Sequence, residues 1–262
     1  MTAPVFLHSA IGTAQPGDVL QLTAAEGRHA VSAMRVCVNE RVDLVDGQGT
    51  RAQGVVALIS GRDSCSVRVS DVSTEPEPVL SFVVAQSLLK GEHDERAVDA
   101  LTQVGVDAII PLQTERCVVR WDSERAERGQ ARWEAASGAA ARQSRRARWP
   151  VIHRPVDIKA VSDLCAQVDL ALVLEAQASL PIGDLTMPAG GKVLVIVGPE
   201  GGLSDGELSL LTQAGARPTR LGAEVLRGSA AGFAAVAACC TLSRWQSADL
   251  SNLPADVGGS GS

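Results

Sequence analysis

Short runs of alternating apolar and polar residues, separated by turn signals, fill the first 75 residues. In the run SCSVRVSDV, Val67 and Val69 fall on one face and the residues between them on the other, which is typical of a half-buried strand. The step Asp46-Gly47 between two such runs favours a tight hairpin. The pattern predicts a small β-barrel domain over residues 1–75. It also predicts one helix over Glu26–Arg35, whose buried face carries Ala30, Val31 and Met34.

The pattern changes after the segment Thr74–Pro78, whose two prolines favour extended backbone and indicate a linker near residue 76. The continuous apolar runs VLSFVVAQ, VDAIIPL, DLALVLE and KVLVIVG then alternate with helical stretches, among them Glu92–Val104 and Ser123–Arg148. Strands buried on both faces and interleaved with helices predict an α/β domain over 76–247, with a parallel sheet covered by helices. Ligands of such sheets bind at the carboxyl ends of the strands. The tail, 248–262, has linker composition and is predicted to be disordered.

Composition excludes several classes of protein. No apolar run reaches the length of a membrane span, and the first residues lack the features of a signal peptide, so we expect a cytoplasmic protein. The six cysteines are scattered, without a CxxC pair or a histidine at zinc-finger spacing, so neither a metal site nor a disulfide framework is expected. The chain has no Tyr and three Phe, which argues against an RNA-recognition domain that stacks bases on aromatic rings.

Positive charge is concentrated in one segment of an acidic chain. The net charge is −6, yet Arg116–Arg154 holds ten Arg against four carboxylates, a local charge of +6. Such a segment is expected of a localised phosphate-binding surface. In its first half, Arg116–Glu134, the signs alternate, and a solvated helix face laced with ion pairs explains them equally well. Arg142–Arg148 holds four Arg in seven residues with no acid nearby in sequence, so this run is the stronger candidate for contact with RNA.

The sharpest motif is GPEGG, Gly198–Gly202, which follows the apolar run KVLVIV. Ser204 and Glu207 then have the spacing of a capping box, which marks the start of a helix. Glycines between a strand and a helix let the backbone approach a ligand closely. A tight turn without a ligand is the plain alternative. Phosphate cradling is another, but GxGxxG and GxxxxGK[ST] are both absent, so neither a dinucleotide site nor a P-loop is supported.

A second motif, RLGAEVLR, spans Arg220–Arg227 and precedes a helix rich in Ala and Gly. The small residues fit close packing of that helix against a neighbour. Packing alone leaves Arg227 unexplained, and its guanidinium either pairs with a carboxylate or faces a ligand.

The two motifs, together with SLLKGEHDERAVDALTQVGVDAIIPLQTERC (Ser87–Cys117) and ARQSRRARWP (Ala141–Pro150), follow one another in the order typical of a known family. Over nearly its whole length the chain resembles the RsmE family of SPOUT methyltransferases. The resemblance implies a PUA-like RNA-binding barrel, then a SPOUT domain with a trefoil-knotted parallel sheet. It also implies S-adenosylmethionine as methyl donor, a homodimer, and methylation of N3 of a uridine in 16S ribosomal RNA.

The resemblance implies three knot loops that hold the methyl donor, and no metal. The cofactor residues expected are Leu174, Glu175, Val197, Gly198, Pro199, Glu200, Gly201, Gly202, Leu221, Gly222, Val225 and Leu226. Loss of the N3 proton spreads negative charge over uracil, and guanidinium groups stabilise it, so the catalytic candidates are Arg227 with Arg142 or Arg145. The RNA-binding candidates are Lys90, Arg116, Arg142, Gln143, Ser144, Arg145, Arg146 and Arg148.

The chain departs from the family in places. Gly228-Ser229-Ala230 stands where Thr-Glu-Thr or Thr-Ser-Thr is usual, Gln103-Val104-Gly105 stands for Glu-Leu-Gly, and an Arg is missing near Pro4. No general base stands out, and His93 and His153 are interpreted as surface or structural residues. A SPOUT enzyme acting on the ribose 2′-hydroxyl and a non-catalytic RNA-binding protein remain alternatives. A nucleotide-binding enzyme is disfavoured by the missing phosphate motifs.

Overall fold

The computed structural model describes residues 3–246, which form two compact units. The first unit comprises the residues up to Glu77 together with Ala141–Trp149, and the second comprises Pro78–Ala140 and the residues from Pro150 onward. The predicted tail lies outside the described residues. Within residues 3–246, no helix combines the length and apolar character needed to cross a membrane.

The first unit is built on a mixed five-stranded sheet in the order β1-β3-β4-β5-β2. Its strands are β1 Val5–Leu7, β2 Val19–Leu22, β3 Arg41–Val45, β4 Thr50–Ser60 and β5 Ser64–Thr74. The pair β1 and β3 is parallel, and the other neighbours are antiparallel. Val67 and Val69 are buried as their alternation predicts, in a core that also holds Phe6, Leu44 and Val56.

The predicted hairpin at Asp46-Gly47 is confirmed. The Asp46 carboxylate accepts hydrogen bonds from the backbone amides of Gln48 at 2.7 Å and Thr50 at 2.9 Å, and Gly47 adopts a φ of +77°. A short polar side chain that binds the backbone two and four residues on holds the turn between β3 and β4.

The prediction of a helix over Glu26–Arg35 is partly wrong. The helix α1 spans only Ala24–Arg28, and a π-helical turn, His29–Ala33, continues the chain. Its wider turn shifts the face that the sequence spacing predicted, because successive side chains are no longer set 100° apart. Ala30 is buried as expected, but Met34 is 50% exposed.

The second unit is an eight-stranded parallel sheet with helices on both faces, as the sequence predicts. The strand order is β11-β13-β10-β12-β6-β7-β8, with β9 paired to β7. The strands are β6 Leu80–Ser87, β7 Ala108–Gln113, β8 Val151–Ile152, β9 Val156–Asp157, β10 Leu170–Leu174, β11 Leu180–Pro181, β12 Gly191–Val197 and β13 Arg217–Arg220. The helices are α2 His93–Val104, α3 Ser123–Gln143, α4 Ile158–Cys165, α5 Asp205–Gln213 and α6 Gly228–Thr241.

The two faces of this sheet bury separate cores, which explains the continuous apolar run Val193–Val197 in β12. In β12, Val193 and Val195 pack into the core that α2 and α6 cover, whereas Leu194 and Ile196 pack into the core of α4 and α5. A half-buried strand would need polar residues at every second position, and β12 has none between Val193 and Val197. The knotted path of the chain stays a prediction of the family resemblance.

The helix expected over Ser123–Arg148 ends five residues early. Arg145 adopts a left-handed φ of +59°, and the backbone amide of Arg146 donates to the Ala141 carbonyl at 2.9 Å. A residue in the left-handed region breaks the helical hydrogen-bond pattern, so α3 ends at Gln143. The second half of the arginine run is therefore a loop that belongs to the first unit.

Candidate cofactor site and the arginine-rich segment

A cavity of about 490 Å³ lies at the carboxyl ends of β10, β12 and β13 in the second unit. This volume is within the range of sites for small molecules. Eleven of the twelve predicted cofactor residues line it, and Gly201 is the exception. The predicted residues on the lining are Leu174, Glu175, Val197, Gly198, Pro199, Glu200, Gly202, Leu221, Gly222, Val225 and Leu226.

The parallel register of the sheet brings these residues together. In β10, Val173 pairs with Ile196 of β12 on one side and Leu174 pairs with Thr219 of β13 on the other. The backbone amide of Glu175 then donates to the Thr219 carbonyl at 3.0 Å, which joins the loop after β10 to β13. Three loops that are distant in sequence thus leave the sheet at one place.

The walls of the cavity combine apolar side chains with carboxylates. Leu89, Leu174 and Leu221 supply apolar surface, and Glu175, Glu200 and Glu224 supply carboxylates. S-adenosylmethionine carries an adenine ring that packs on apolar surface, and a sulfonium and an ammonium group that carboxylates attract. The residues present therefore fit this cofactor.

Two glycines in these loops have distinct structural reasons. Gly202 lines the cavity with a φ of +69°, a conformation that L side chains rarely adopt. A Cβ on Gly228 would lie 3.0 Å from the Leu89 side chain and 3.4 Å from the Gly198 carbonyl. This crowding accounts for glycine at 228, where the family usually carries Thr.

Gly201 does not line the cavity, although it was expected to approach the ligand. A Cβ on this residue would meet the Arg116 side chain at 3.5 Å, an ordinary contact distance, and Gly201 is absent from the cavity lining. Its expected close approach to a ligand therefore finds no support in the geometry. The signal that the sequence assigned to the whole motif belongs to Gly202.

Several lining residues lie outside the three predicted knot loops, Leu174–Ala176, Val197–Gly202 and Leu221–Arg227. They are Leu89, His93, Leu203, Thr219, Gly228, Ser229 and Ala231. Leu89 follows the end of β6, and Thr219 lies near the end of β13. The rule that ligands bind at the carboxyl ends of parallel strands could have identified both. His93, interpreted as surface or structural, begins α2 on the lining.

Arg227 lies on the cavity lining with its side chain exposed. It is the N-cap residue of α6, and its carbonyl accepts the amides of Ala230 and Ala231 at 2.8 and 2.9 Å. The helix start therefore fixes the Arg227 backbone beside the cavity. Of the two readings of Arg227, the one in which it faces a ligand fits this position.

Two arginines of the run pair with acids of the first unit, Glu26 in α1 and Glu77 after β5, which corrects the expectation that no acid lies near the run. Arg142 forms an ion pair with Glu26, with only 23% and 20% of the two side chains exposed, and its guanidinium lies 5.0 Å from the Trp149 ring. Arg148 donates to the Glu75 carbonyl at 3.0 Å and lies 3.8 Å from the Glu77 carboxylate. At least these two guanidiniums serve the packing of the first unit.

The remaining predicted RNA-binding residues are spread over both units. Arg145 accepts a hydrogen bond at its carbonyl from Arg51 at 2.8 Å, and the Ser144 hydroxyl donates to the Ala141 carbonyl at 3.5 Å. Lys90 is exposed in the second unit, where its amide donates to the Glu200 carboxylate at 3.4 Å. Arg142 and Arg145 belong to the first unit and Arg227 to the second, so joint action of these arginines stays a prediction.

Family models and curated relatives both match this chain to one family of RNA methyltransferases. The model of an RNA methyltransferase domain matches residues 75–240, and the model of an RNA methyltransferase PUA domain matches residues 22–70. The ribosomal RNA small subunit methyltransferase E of Mycobacterium bovis is 38% identical over 234 residues, covering 87% of this chain and 89% of the relative. The protein of the same name from Bacillus subtilis is 28% identical over 236 residues, covering 86% and 90%.

Solved structures agree over the same length. A methyltransferase from Legionella pneumophila, in complex with S-adenosylmethionine, is 28% identical with a TM-score of 0.83, covering 93% of this chain and 99% of that one. A ribosomal RNA small subunit methyltransferase E from Neisseria gonorrhoeae, bound to S-adenosylmethionine, is 25% identical with a TM-score of 0.81, covering 92% and 98%.

Proposed function

Because the chain belongs to the ribosomal RNA small subunit methyltransferase E family, we propose that it methylates N3 of uracil 1498 in 16S ribosomal RNA, with S-adenosylmethionine as the donor. The observation that carries the proposal is the cavity formed by the GPEGG and LGAEVLR loops at the strand ends. Neighbours of the same fold bind S-adenosylmethionine.

Different residues of the cavity would bind different parts of the cofactor. Leu174 and Leu221 offer apolar surface for the adenine ring, and Glu175, Glu200 and Glu224 offer negative charge for the cationic groups. S-adenosylmethionine, when bound, supplies an activated methyl carbon. The chain's own contribution is then chiefly to align the reacting atoms and exclude water.

We assign a catalytic role to Arg227, which lies in the second unit. N3 of uracil must lose its proton to act as a nucleophile, and the negative charge spreads over O2 and O4. A guanidinium beside these oxygens stabilises the uracil anion that forms in the transition state more strongly than it stabilises the neutral base. Arg142 and Arg145 are weaker candidates for the partner role, because the Arg142 guanidinium is already paired with Glu26.

Binding of RNA and dimer formation are parts of the same proposal. We expect the exposed Lys90 and the half-buried Arg145 and Arg146 to contact phosphates. Val225 is 79% exposed, and Leu226 and Phe233 are also exposed, which supports a second copy of the chain as the partner of this surface. Location in the cytoplasm stays a prediction.

Mapping of methylated nucleotides in 16S RNA from a deletion strain tests the function. We expect loss of the N3 methyl group from uracil 1498 and its restoration by the cloned gene. A missing ribose methyl group in its place would indicate a 2′-hydroxyl enzyme. If calorimetry detects no binding of S-adenosylmethionine to the purified protein, the non-catalytic RNA-binding alternative gains and the proposal fails.

A further inference from the structure

We propose that Arg116 is a positioning residue for the GPEGG loop, and that its effect on the enzyme is exerted through S-adenosylmethionine and not through RNA. The inference rests on the proposed function, since it specifies how the cofactor site of that function is held in shape. It replaces the role of phosphate ligand that the basic character of Arg116 suggested.

The observation begins with two hydrogen bonds. One terminal nitrogen of the Arg116 guanidinium donates to the Gly201 carbonyl at 3.1 Å and to the Leu203 carbonyl at 3.0 Å. These carbonyls flank Gly202, which lines the cavity with a left-handed backbone. The Arg116 stem also lies against Gly201, where a Cβ would meet it at 3.5 Å.

A third hydrogen bond joins the same two segments. Glu207, which is buried in the first turn of α5, accepts the backbone amide of Glu115 at 2.7 Å on one carboxylate oxygen. Its other oxygen accepts the amide of Ser204 at 2.9 Å. The loop after β7 thus donates three hydrogen bonds to the segment from Gly201 to Glu207, two from the Arg116 guanidinium and one from the Glu115 amide.

The loop that carries Arg116 is itself firmly held. The Thr114 hydroxyl and the Cys117 thiol lie 3.2 Å apart, and both residues are buried. The side chain of Gln113 closes the loop by binding the backbone of Trp121 in both directions, at 2.8 and 3.3 Å. Arg116 therefore projects from a fixed base onto a glycine-rich segment that has few side chains of its own to fix it.

The consequence is preorganisation of the cofactor loop. Glycine-rich backbone loses more conformational freedom than other sequences when a ligand orders it, and this loss weakens binding. Hydrogen bonds from a charged donor are stronger than neutral ones. Loss of both hydrogen bonds from Arg116 to the loop is expected to weaken S-adenosylmethionine binding on the order of tenfold.

Arg116→Met tests the role, because methionine keeps an unbranched stem against Gly201 and removes the donors. We expect an unchanged far-ultraviolet spectrum, a Kd for S-adenosylmethionine raised about tenfold, a raised KM for the cofactor, and unchanged kcat and RNA affinity. Arg116→Lys, which restores a charged donor, should recover part of the cofactor affinity. The matched control is Arg128→Ala, which removes an equal charge from an exposed pair with Glu124 at 2.9 Å and should change neither affinity.

The outcomes separate the two proposals. Failure of the wild-type protein to bind S-adenosylmethionine would overturn the proposed function itself. Wild-type binding together with unchanged cofactor affinity in Arg116→Met, or a loss of RNA affinity in its place, would overturn the positioning role alone. If the methionine variant does not fold, Arg116→Ala decides, because it removes the same donors without adding a long apolar side chain. Full cofactor affinity in that variant would likewise refute the role.

Discussion

At the scale of single residues, neighbouring positions of one motif have different duties. Gly201 and Gly202 are indistinguishable in the sequence, yet only Gly202 has a left-handed φ and lines the cavity. A side chain at 201 meets only Arg116 at contact distance, whereas a side chain at 202 strains the backbone wherever it points.

Gly202→Ala is therefore expected to harm cofactor binding more than Gly201→Ala. The left-handed conformation costs an alanine about 1–2 kcal/mol, so the loop either shifts away from its shape or holds it at that cost. We expect the Kd for S-adenosylmethionine to rise about tenfold or more in Gly202→Ala. Calorimetry on both variants checks this, and equal affinities in the two would contradict the assignment.

Arg142 has a structural role, its ion pair with Glu26, that the basic sequence around it does not indicate. Removal of one partner from a partly buried ion pair leaves the other charge without compensation, at a cost of about 1–3 kcal/mol. Arg142→Ala should lower the free energy of unfolding by that amount, and the double variant with Glu26→Ala should lose less than the sum of the two single variants, although Glu26 also accepts the Leu7 amide at 3.0 Å. Urea titration measures these changes, with Arg128→Ala as the exposed control, expected within about 0.5 kcal/mol of wild type. Additive losses in the double variant would show that the pair is not coupled.

At the scale of elements, helix α5 begins where the cofactor loop ends because the sequence fixes its first turn. The Ser204 hydroxyl accepts the amide of Glu207 at 3.3 Å, and the Glu207 carboxylate accepts the amide of Ser204, which completes a capping box. The same carboxylate reaches Glu115, so one element boundary also anchors a loop that lies 92 positions away in sequence.

Ser204→Ala is expected to lower the free energy of unfolding by about 1 kcal/mol, because the first turn loses its side-chain acceptor. Ser209→Ala makes the same chemical change at an exposed position inside α5 and should be neutral or slightly stabilising. Denaturant unfolding of the two variants checks the difference. Equal stabilities would mean that the hydroxyl contributes nothing to the helix start.

At the scale of the whole molecule, the distribution of charge along the chain is not its distribution in space. The local charge of +6 in Arg116–Arg154 suggested an open basic surface. Glu26 of α1 and Glu77, which follows β5, approach Arg142 and Arg148 and lower the basic character of that surface. Binding of RNA is therefore expected to depend on salt less steeply than a count of arginines suggests.

Stability above pH 9 is expected to report on the core of the second unit. Burial raises the pKa of the Cys239 thiol to about 12 and that of Cys240 to about 11. The unfolded chain loses these protons near its ordinary thiol pKa, so the stabilisation is complete below about pH 9 and falls as pH rises through the folded values. Each thiol contributes a slope of up to about 1.4 kcal/mol per pH unit.

Thermal melts between pH 8 and 11 measure this slope, and the absence of Tyr removes one competing titration. Cys239→Ala should flatten the decline of Tm with pH, although its Tm at pH 8 is lower. Cys37→Ala, at an exposed thiol, should leave the decline unchanged. A slope in Cys239→Ala equal to that of wild type would assign the decline to other groups.

The sequence by itself determined the class of fold and the place of the cofactor site. The apolar pattern of β6, β7, β10 and β12 specifies a sheet buried on both faces, because each residue's burial follows from its position along one strand. The loops after β10, β12 and β13 must meet at one edge of a parallel sheet. Eleven of the twelve cofactor residues that the family resemblance implies line the cavity at this edge.

Only the tertiary structure decided what the charged side chains do. Arg142 and Glu26 are 116 positions apart, and Arg116 and Gly201 are 85 apart. The composition around an arginine says nothing about an acceptor that the fold brings from another element. The π-helical turn after α1 and the left-handed Arg145 likewise depend on contacts that no local pattern encodes. Burial patterns are local and repeat along the chain, whereas ion pairs are single, long-range meetings that exist only after the chain has folded.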